Sequence, residues 1–92
     1  MGYNFEWDPE KAKANLSKHG VSFAEAATVF GDPLSMNMPD LDHSEGEHRF
    51  IVMGMSDRNR LLVVSYTDRL TRTRIIAARL ATQHERKQYE EE

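Results

Sequence analysis

The feature that most constrains this chain is the spacing of its second half. Three runs rich in β-branched and apolar residues, 49–55, 61–67 and 73–78, are separated by two turn segments, 56–60 and 68–72. A crossover to a parallel neighbour takes a dozen or more residues, so connections this short force consecutive runs to pair as antiparallel neighbours. The result is a β-meander. A weaker strand is expected over 34–38, and Phe5, Glu6 and Trp7 read as a short first strand.

The first third carries helix signals instead. Asp8-Pro9 supplies an N-cap followed by proline at the first helical position, and Gly20 follows Lys18 and His19, so a helix should span Pro9 to His19. Ser22 and Glu25 form a capping box with Val21 at the staple position before it. Phe23, Ala26, Ala27 and Phe30 recur at helical spacing, which predicts an amphipathic second helix packed on the core and stopped by Gly31-Asp32-Pro33. Thr82 with Glu85 gives another capping box and predicts a last helix over 83–89. Residues 39–48 read as a polar, acidic loop with a single turn capped by Ser44. The order β-α-α-β-β-β-β-α fits a single α+β domain over 1–92, with two N-terminal helices and a C-terminal helix. The helices are expected on one face of an antiparallel sheet and the other face open.

Ninety-two residues leave room for one core and argue against a large active-site cavity. The chain has no cysteine, which removes disulfides, thiolate nucleophiles and Cys-based zinc sites. No apolar run approaches the roughly 18 residues needed to span a bilayer, and the first residues lack the basic and apolar regions of a signal peptide, so a cytoplasmic protein with no membrane role is expected. The formal net charge of −3 hides a segregation. Residues 1–48 hold three lysines against nine acids, whereas residues 49–89 hold eight arginines and Lys87 against Asp57, Asp68 and Glu85. Such a division suits one surface for an anionic ligand and another for a different partner, or arginines that keep a sheet soluble.

Several side chains invite chemistry. His19 falls three residues after Leu16 and seven after Ala12, on what reads as the apolar stripe of the first helix; it is either a catalytic imidazole or a half-buried one favoured by the helix C-terminus. Lys11, Asn15 and Lys18 form the neighbouring stripe, where Lys18 is a solvated lysine or a phosphate contact. Asp40, Asp42, His43 and His48 cluster in the loop, but their spacing matches no metal motif, so no metal is expected. Arg49, Arg74 and Arg79 are more informative, because a guanidinium fork binds phosphate bidentately and cannot deprotonate. Parity opposes their convergence. Arg74 and Arg79 differ by five positions and would face opposite ways on a regular strand, unless the chain bends after Ala77 or Ala78. There is no Gly-rich phosphate loop, nucleophile elbow or pair of carboxylates on one helix face, so nucleotide hydrolysis, acyl transfer and glycosidase chemistry lack support and no cofactor is expected.

The segments FEWDPEKAKANLSKHGVSFAEAATVFGDP, DHSEGEHRFIVMGMS, RLLVVSYTDR and RIIAARLATQHERKQYE together resemble the BrnT family, small ribonuclease toxins of bacterial type II toxin-antitoxin modules. The resemblance runs from Phe5 to Tyr89. It implies a RelE-like fold, RNA as substrate, inhibition of translation, and neutralisation by a co-encoded DNA-binding antitoxin of the BrnA kind, with operator DNA reached only through the toxin-antitoxin complex. The polar positions that match the family pattern are Lys18 and His19 in KHG, His43, Glu47 and Arg49 in the next stretch, and Arg74 and Arg79 in the RII segment. Gly46 and His48 stand where acids are common, Ala77 where Ser is usual, and Leu80 where a basic residue is usual. The implied chemistry is metal-independent: the RNA 2′-OH loses a proton and attacks the adjacent phosphate, leaving a 2′,3′-cyclic end. In that scheme Arg74 and Arg79 hold the phosphate, Arg49 and Lys18 support them, and His19 or Glu47 is the base. The alternatives are a degenerate toxin that survives as a binding partner and an RNA-binding module without chemistry.

Overall fold

The computed structural model describes residues 4–40 and 48–91. Its elements are β1 (Phe5–Glu6), α1 (Pro9–His19), α2 (Phe23–Thr28), a 3-10 turn (Val29–Gly31), β2 (Met36–Pro39), β3 (Phe50–Met55), β4 (Leu61–Arg69), β5 (Arg72–Leu80) and α3 (Gln83–Glu90). The strands form one sheet in the order β1-β5-β4-β3-β2. β2 through β5 make the expected antiparallel meander, while β1 lies parallel to β5 with Phe5 opposite Thr73 and Glu6 opposite Arg74. The strand pair β4–β5 is longer than its apolar runs suggested. It reaches Arg69 and Arg72 because Leu70 takes a left-handed φ of 54° and closes the turn tightly. Among the described residues no helix is long and apolar enough to cross a membrane.

Capping sets the helix ends as the sequence predicts. The Asp8 carboxylate accepts from the Glu10 N–H at 2.8 Å, and Gly20, at φ 70°, donates its N–H to the Leu16 carbonyl at 2.9 Å. The Thr82–Glu85 capping box is complete in both directions. The Ser22 box is only half made: Ser22 Oγ accepts from the Glu25 N–H, but the Glu25 carboxylate turns instead to Arg60 and Ser56. Glu25 is 5% exposed, and Arg60 reaches it through Nε at 2.9 Å and Nη2 at 2.5 Å. A buried carboxylate needs such a partner, so the ion pair overrides the local cap. The second helix also ends early. After Thr28 it tightens into the 3-10 turn, which rotates Val29 into the core and leaves Phe30 half-buried.

The principal core lies between the helices α1 and α2 and one face of the sheet. Val21, Phe23, Ala26 and Val29 pack on Val52, Leu62, Val64, Tyr66, Ile75 and Ala78. Each fully buried aliphatic or aromatic side chain here contributes about 1.5–3 kcal/mol. Phe5, Phe30, Tyr66 and Phe50 continue this core as an aromatic chain with centroid spacings of 5.1, 4.9 and 5.6 Å. Asn15, rather than Leu16, marks the inward face of α1: Asn15 is 7% exposed and Leu16 is 52% exposed.

The opposite face of the sheet is not left open along its whole length. Tyr89 of α3 and Ala81 pack against the cluster of Met53, Leu61 and Val63, so the last helix lies across from the first two. Tyr89 Oη donates to Asp32 Oδ2 at 2.6 Å, which pushes the phenol up to about 12. Burial would raise the Asp32 carboxyl, but the N–H groups of Met55 and Leu34 and the Tyr89 hydroxyl together hold it below its ordinary value. Gly54 permits this close approach. A Cβ there would stand 3.0 Å from both Ser35 Cβ and Val29 Cγ1.

Candidate functional site

The site is built on β5, and a single irregularity in that strand creates it. Ser65 pairs with Ala77 but Tyr66 pairs with Ile75, so two β5 residues are spent against one step of β4. This β-bulge at Ile76 removes the parity conflict. Arg74 pairs with Thr67 and Arg79 with Val63, and Thr67, Ser65 and Val63 alternate along one face of β4. Arg74 and Arg79 therefore face the same way, on the side of the sheet away from α1 and α2. The chain does bend, but at Ile76, just ahead of the position after Ala77 or Ala78 that the strand pattern suggested.

The second determinant is the shortness of β1. It covers β5 only at Thr73 and Arg74, so the rest of that edge is open to α1. The Asn15 side chain fills the backbone vacancy there. Its Nδ2 donates to the carbonyls of Ala78 and Val21, each at 2.9 Å, and its Oδ1 accepts from the Ala78 N–H at 3.1 Å. A side-chain amide thus stands in for a neighbouring strand and fixes α1 against the sheet edge. Two clefts meet at that edge. One, of about 240 Å³, is bounded by Lys11, Lys18, His19, Ile76 and Ala77; the other, of about 350 Å³, by His19, Ala77, Arg79, Ser65, Val63, Ile51 and Asp40. His19 and Ala77 border both, so a continuous groove leads from the α1 lysines to Arg79 and the buried Asp40.

Of the residues singled out from sequence, Lys18, His19 and Arg79 are brought to this groove. His19 is half-buried and Lys18 exposed. Arg49 and Arg74 lie on the same sheet face but one row further along, flanking Thr67. Glu47 and His43, with Asp42 and the turn expected at Ser44, lie outside the described residues. Asp40 is within them, 7% exposed, its N–H bonded to the Arg49 carbonyl at 2.8 Å. Sequence reasoning weighed Asp40 only as a metal ligand, because nothing local shows that β2 delivers it to the far end of the groove. Among the described residues no group of three or more His, Asp or Glu side chains is placed to hold a metal.

The guanidinium groups are not idle in this state. Arg79 makes a bidentate pair with Glu85, Nη1 to Oε1 at 2.8 Å and Nη2 to Oε2 at 2.9 Å. Glu85 Oε1 also accepts from the Thr82 N–H at 2.8 Å as part of the capping box. The Arg79 fork, then the Thr82 N–H, hold the Glu85 carboxyl down at about 2, and Glu85 in turn raises Arg79 further. Arg79 stands where β5 gives way to α3. That junction aims its fork at the helix cap. Arg74 Nε donates to Glu6 Oε2 at 3.1 Å, and Arg72 approaches the other oxygen of Glu6 at 3.5 Å. Both pairs are partly exposed, so water and an incoming anion can compete for them.

A family model described as "Ribonuclease toxin, BrnT, of type II toxin-antitoxin system" matches residues 7–85, a span that contains every element from α1 to the first residues of α3. The chain belongs to the BrnT family. The crystal structure of the ribonuclease toxin BrnT of Brucella abortus has the same fold: the TM-score is 0.69 at 20% sequence identity, over 89% of this chain and 100% of that one. Among curated proteins, none matches the chain. The family supplies the general setting, a ribonuclease toxin of a type II toxin-antitoxin system, and the BrnT structure shares the α+β fold.

Proposed function

We propose that this BrnT-family chain is a metal-independent endoribonuclease that works in the groove along the open edge of β5. The observation that carries this reading is the bulge at Ile76, which puts Arg74 and Arg79 on one face while α1 presents Lys18 and His19 at the adjoining edge. Arginine forks and a lysine supply fixed positive charge for a phosphate that gains negative charge in the transition state. His19 is the side chain that takes the 2′-OH proton, with the Asp40 carboxylate across the cleft to orient or stabilise its charged form. The 2′-oxygen then forms its bond to phosphorus as the bond to the 5′-oxygen breaks. The leaving oxygen takes a proton, and a 2′,3′-cyclic phosphate remains. In the cell this activity would inhibit translation from the cytoplasm, and a co-encoded DNA-binding antitoxin of the BrnA kind would neutralise it by covering the arginine-bearing face, since one surface cannot hold RNA and antitoxin together.

The test is direct. Purified protein incubated with RNA in excess EDTA should leave cyclic phosphate ends, and His19→Ala should abolish them without lowering the melting temperature. Inducible expression of the chain alone should arrest growth and labelled-amino-acid incorporation. A second reading is a binding-only module, in which the carboxylates on Arg79 and Arg74 give way to RNA but no bond is broken. RNA that is bound by the protein but recovered intact would decide for it.

A further inference from the structure

Among the described residues two buried side-chain polar atoms have no hydrogen-bond partner, Arg49 Nε and Thr67 Oγ1. Their residues are neighbours in the sheet. Arg49 immediately precedes Phe50, whose β4 partner is Tyr66, so continuing the register by one step sets Arg49 opposite Thr67. Thr67 in turn pairs with Arg74 on β5. The row Arg49, Thr67, Arg74 thus crosses three strands on the face that carries Arg79. Directly opposed residues in an antiparallel sheet have Cα atoms only about 4.5–5.5 Å apart.

Thr67 is 2% exposed, so its hydroxyl has given up water for nothing visible. Leaving a buried hydroxyl unpaired is costly, and valine, of the same shape, would fill the position without that cost. The Thr67 hydroxyl can donate as well as accept, yet it is not paired with the Arg49 Nε–H; with the Arg49 and Arg74 guanidinium groups flanking it, an acceptor that carries negative charge would satisfy both the hydroxyl hydrogen and the Nε–H. The Asp40 carboxylate at the end of the row has interactions of its own. Thr67 also borders an open cleft of about 720 Å³ at the end of the sheet, lined by His48, Phe50, Asp68, Arg69 and Leu70.

We infer that Thr67 is a phosphate-binding residue: its hydroxyl, with Arg49 Nε, receives a backbone phosphate of bound RNA one row away from the Arg79 groove. This rests on the ribonuclease reading for the identity of the ligand, and deepens it by giving the RNA a second fixed phosphate. A neutral donor contributes affinity without contributing to the counterion release that governs salt dependence.

The experiment compares wild type, Thr67→Val, Thr67→Ser and Arg74→Ala in binding a 2′-O-methyl RNA oligonucleotide, which cannot be cleaved, over a range of salt, with melting temperature measured on each protein. Thr67→Val should melt at or above the wild-type temperature and bind about tenfold more weakly or worse, the loss expected for one hydrogen bond to a charged group. Its salt slope should equal that of wild type, Arg74→Ala should lose about one unit of slope, and Thr67→Ser should restore affinity. A Thr67→Val protein that binds like wild type, or that melts well below it or fails to fold, overturns the inference, because the hydroxyl would then be spare or structural. The two readings fail separately. If wild type cleaves RNA but Thr67→Val binds normally, only the Thr67 assignment falls; if Thr67→Val binds weakly yet wild type cleaves nothing, only the nuclease reading falls.

Discussion

Replacing Asn15 tests the claim that a side-chain amide completes the edge of β5. Asn15→Ala removes three hydrogen bonds at once and strands the carbonyls of Val21 and Ala78 and the N–H of Ala78 in a buried setting. At about 0.5–1.5 kcal/mol net for each bond, and more where a buried group is left unsatisfied, the loss should be about 3–4 kcal/mol. A domain this size has a total stability of roughly 5–14 kcal/mol, so the change takes a large share, and the melting temperature should fall by at least ~12 °C. Asn15→Asp sharpens the test. It keeps an acceptor for the Ala78 N–H but turns a carboxylate toward two carbonyl oxygens, so at pH 7 it should be no more stable than Asn15→Ala. Its folded-state carboxyl would be raised above the unfolded value, and the variant should therefore gain stability as pH falls, when the protonated group can donate to one carbonyl. Urea unfolding followed by fluorescence of Trp7, which packs edge-on against Phe23 at 5.9 Å, gives the measurement. An Asn15→Ala protein within 1 kcal/mol of wild type, or an Asn15→Asp protein more stable than Asn15→Ala at pH 7, would refute the bridging role.

Wild type should show the opposite pH trend: Glu25, Asp32 and Glu85 all have depressed folded-state values, so their stabilisation is present above about pH 4.5 and is lost as pH falls through those values, which urea unfolding between pH 7 and 2 will show. Glu85→Gln should release the Arg79 fork, raising affinity for non-cleavable RNA several-fold while lowering the melting temperature; unchanged affinity would remove Arg79 from the RNA site. Arg79→Lys keeps the charge but loses the fork, so cleavage should drop far more than RNA affinity, and its melting temperature must be compared with that of Glu85→Gln because both variants break the same ion pair. Gly54→Ala should cost about 1–3 kcal/mol by forcing Val29 and Ser35 away from the sheet, read from the urea midpoint.

Helix ends and strand pairing were legible because they depend on neighbours in sequence. Asp8, Pro9 and Gly20 bound α1, Thr82 and Glu85 start α3, and the short turns dictate the meander. What sequence missed depends on distant partners. Glu25 carries the signature of a cap, but Arg60, 35 residues away, offers its buried carboxylate a full ion pair. Asn15 stands between two lysines on a helical wheel, and only the carbonyl of Ala78 makes it the centre of the inward face. Leu16, more apolar, is exposed because that centre lies elsewhere. The arginine site was half legible: its members could be named from their chemistry and the family pattern. Their convergence could not, since no residue type announces a bulge at Ile76, and the ion pair that occupies Arg79 joins a strand to a helix that the sequence pattern placed on the same face as the first two.

The bulge also has a consequence for how such a chain can change over generations. From Arg74 to Arg79 the sheet face is conserved by a count of residues, and the counted residue at Ile76 is half-buried and chemically replaceable. Substitutions at Ile76 or Ala77 that suit a strand should be tolerated. Losing the bulge without losing a residue, by contrast, would restore a regular ladder at a spacing of five and send one of the two arginines through to the hydrophobic core, whereas losing the bulge together with one residue would keep both on the same face. Inserting or deleting a pair would preserve the facing while shifting the spacing by one step. Length variation in this strand is therefore expected to be inherited in even steps, and relatives that differ by an odd one should also have gained or lost the bulge.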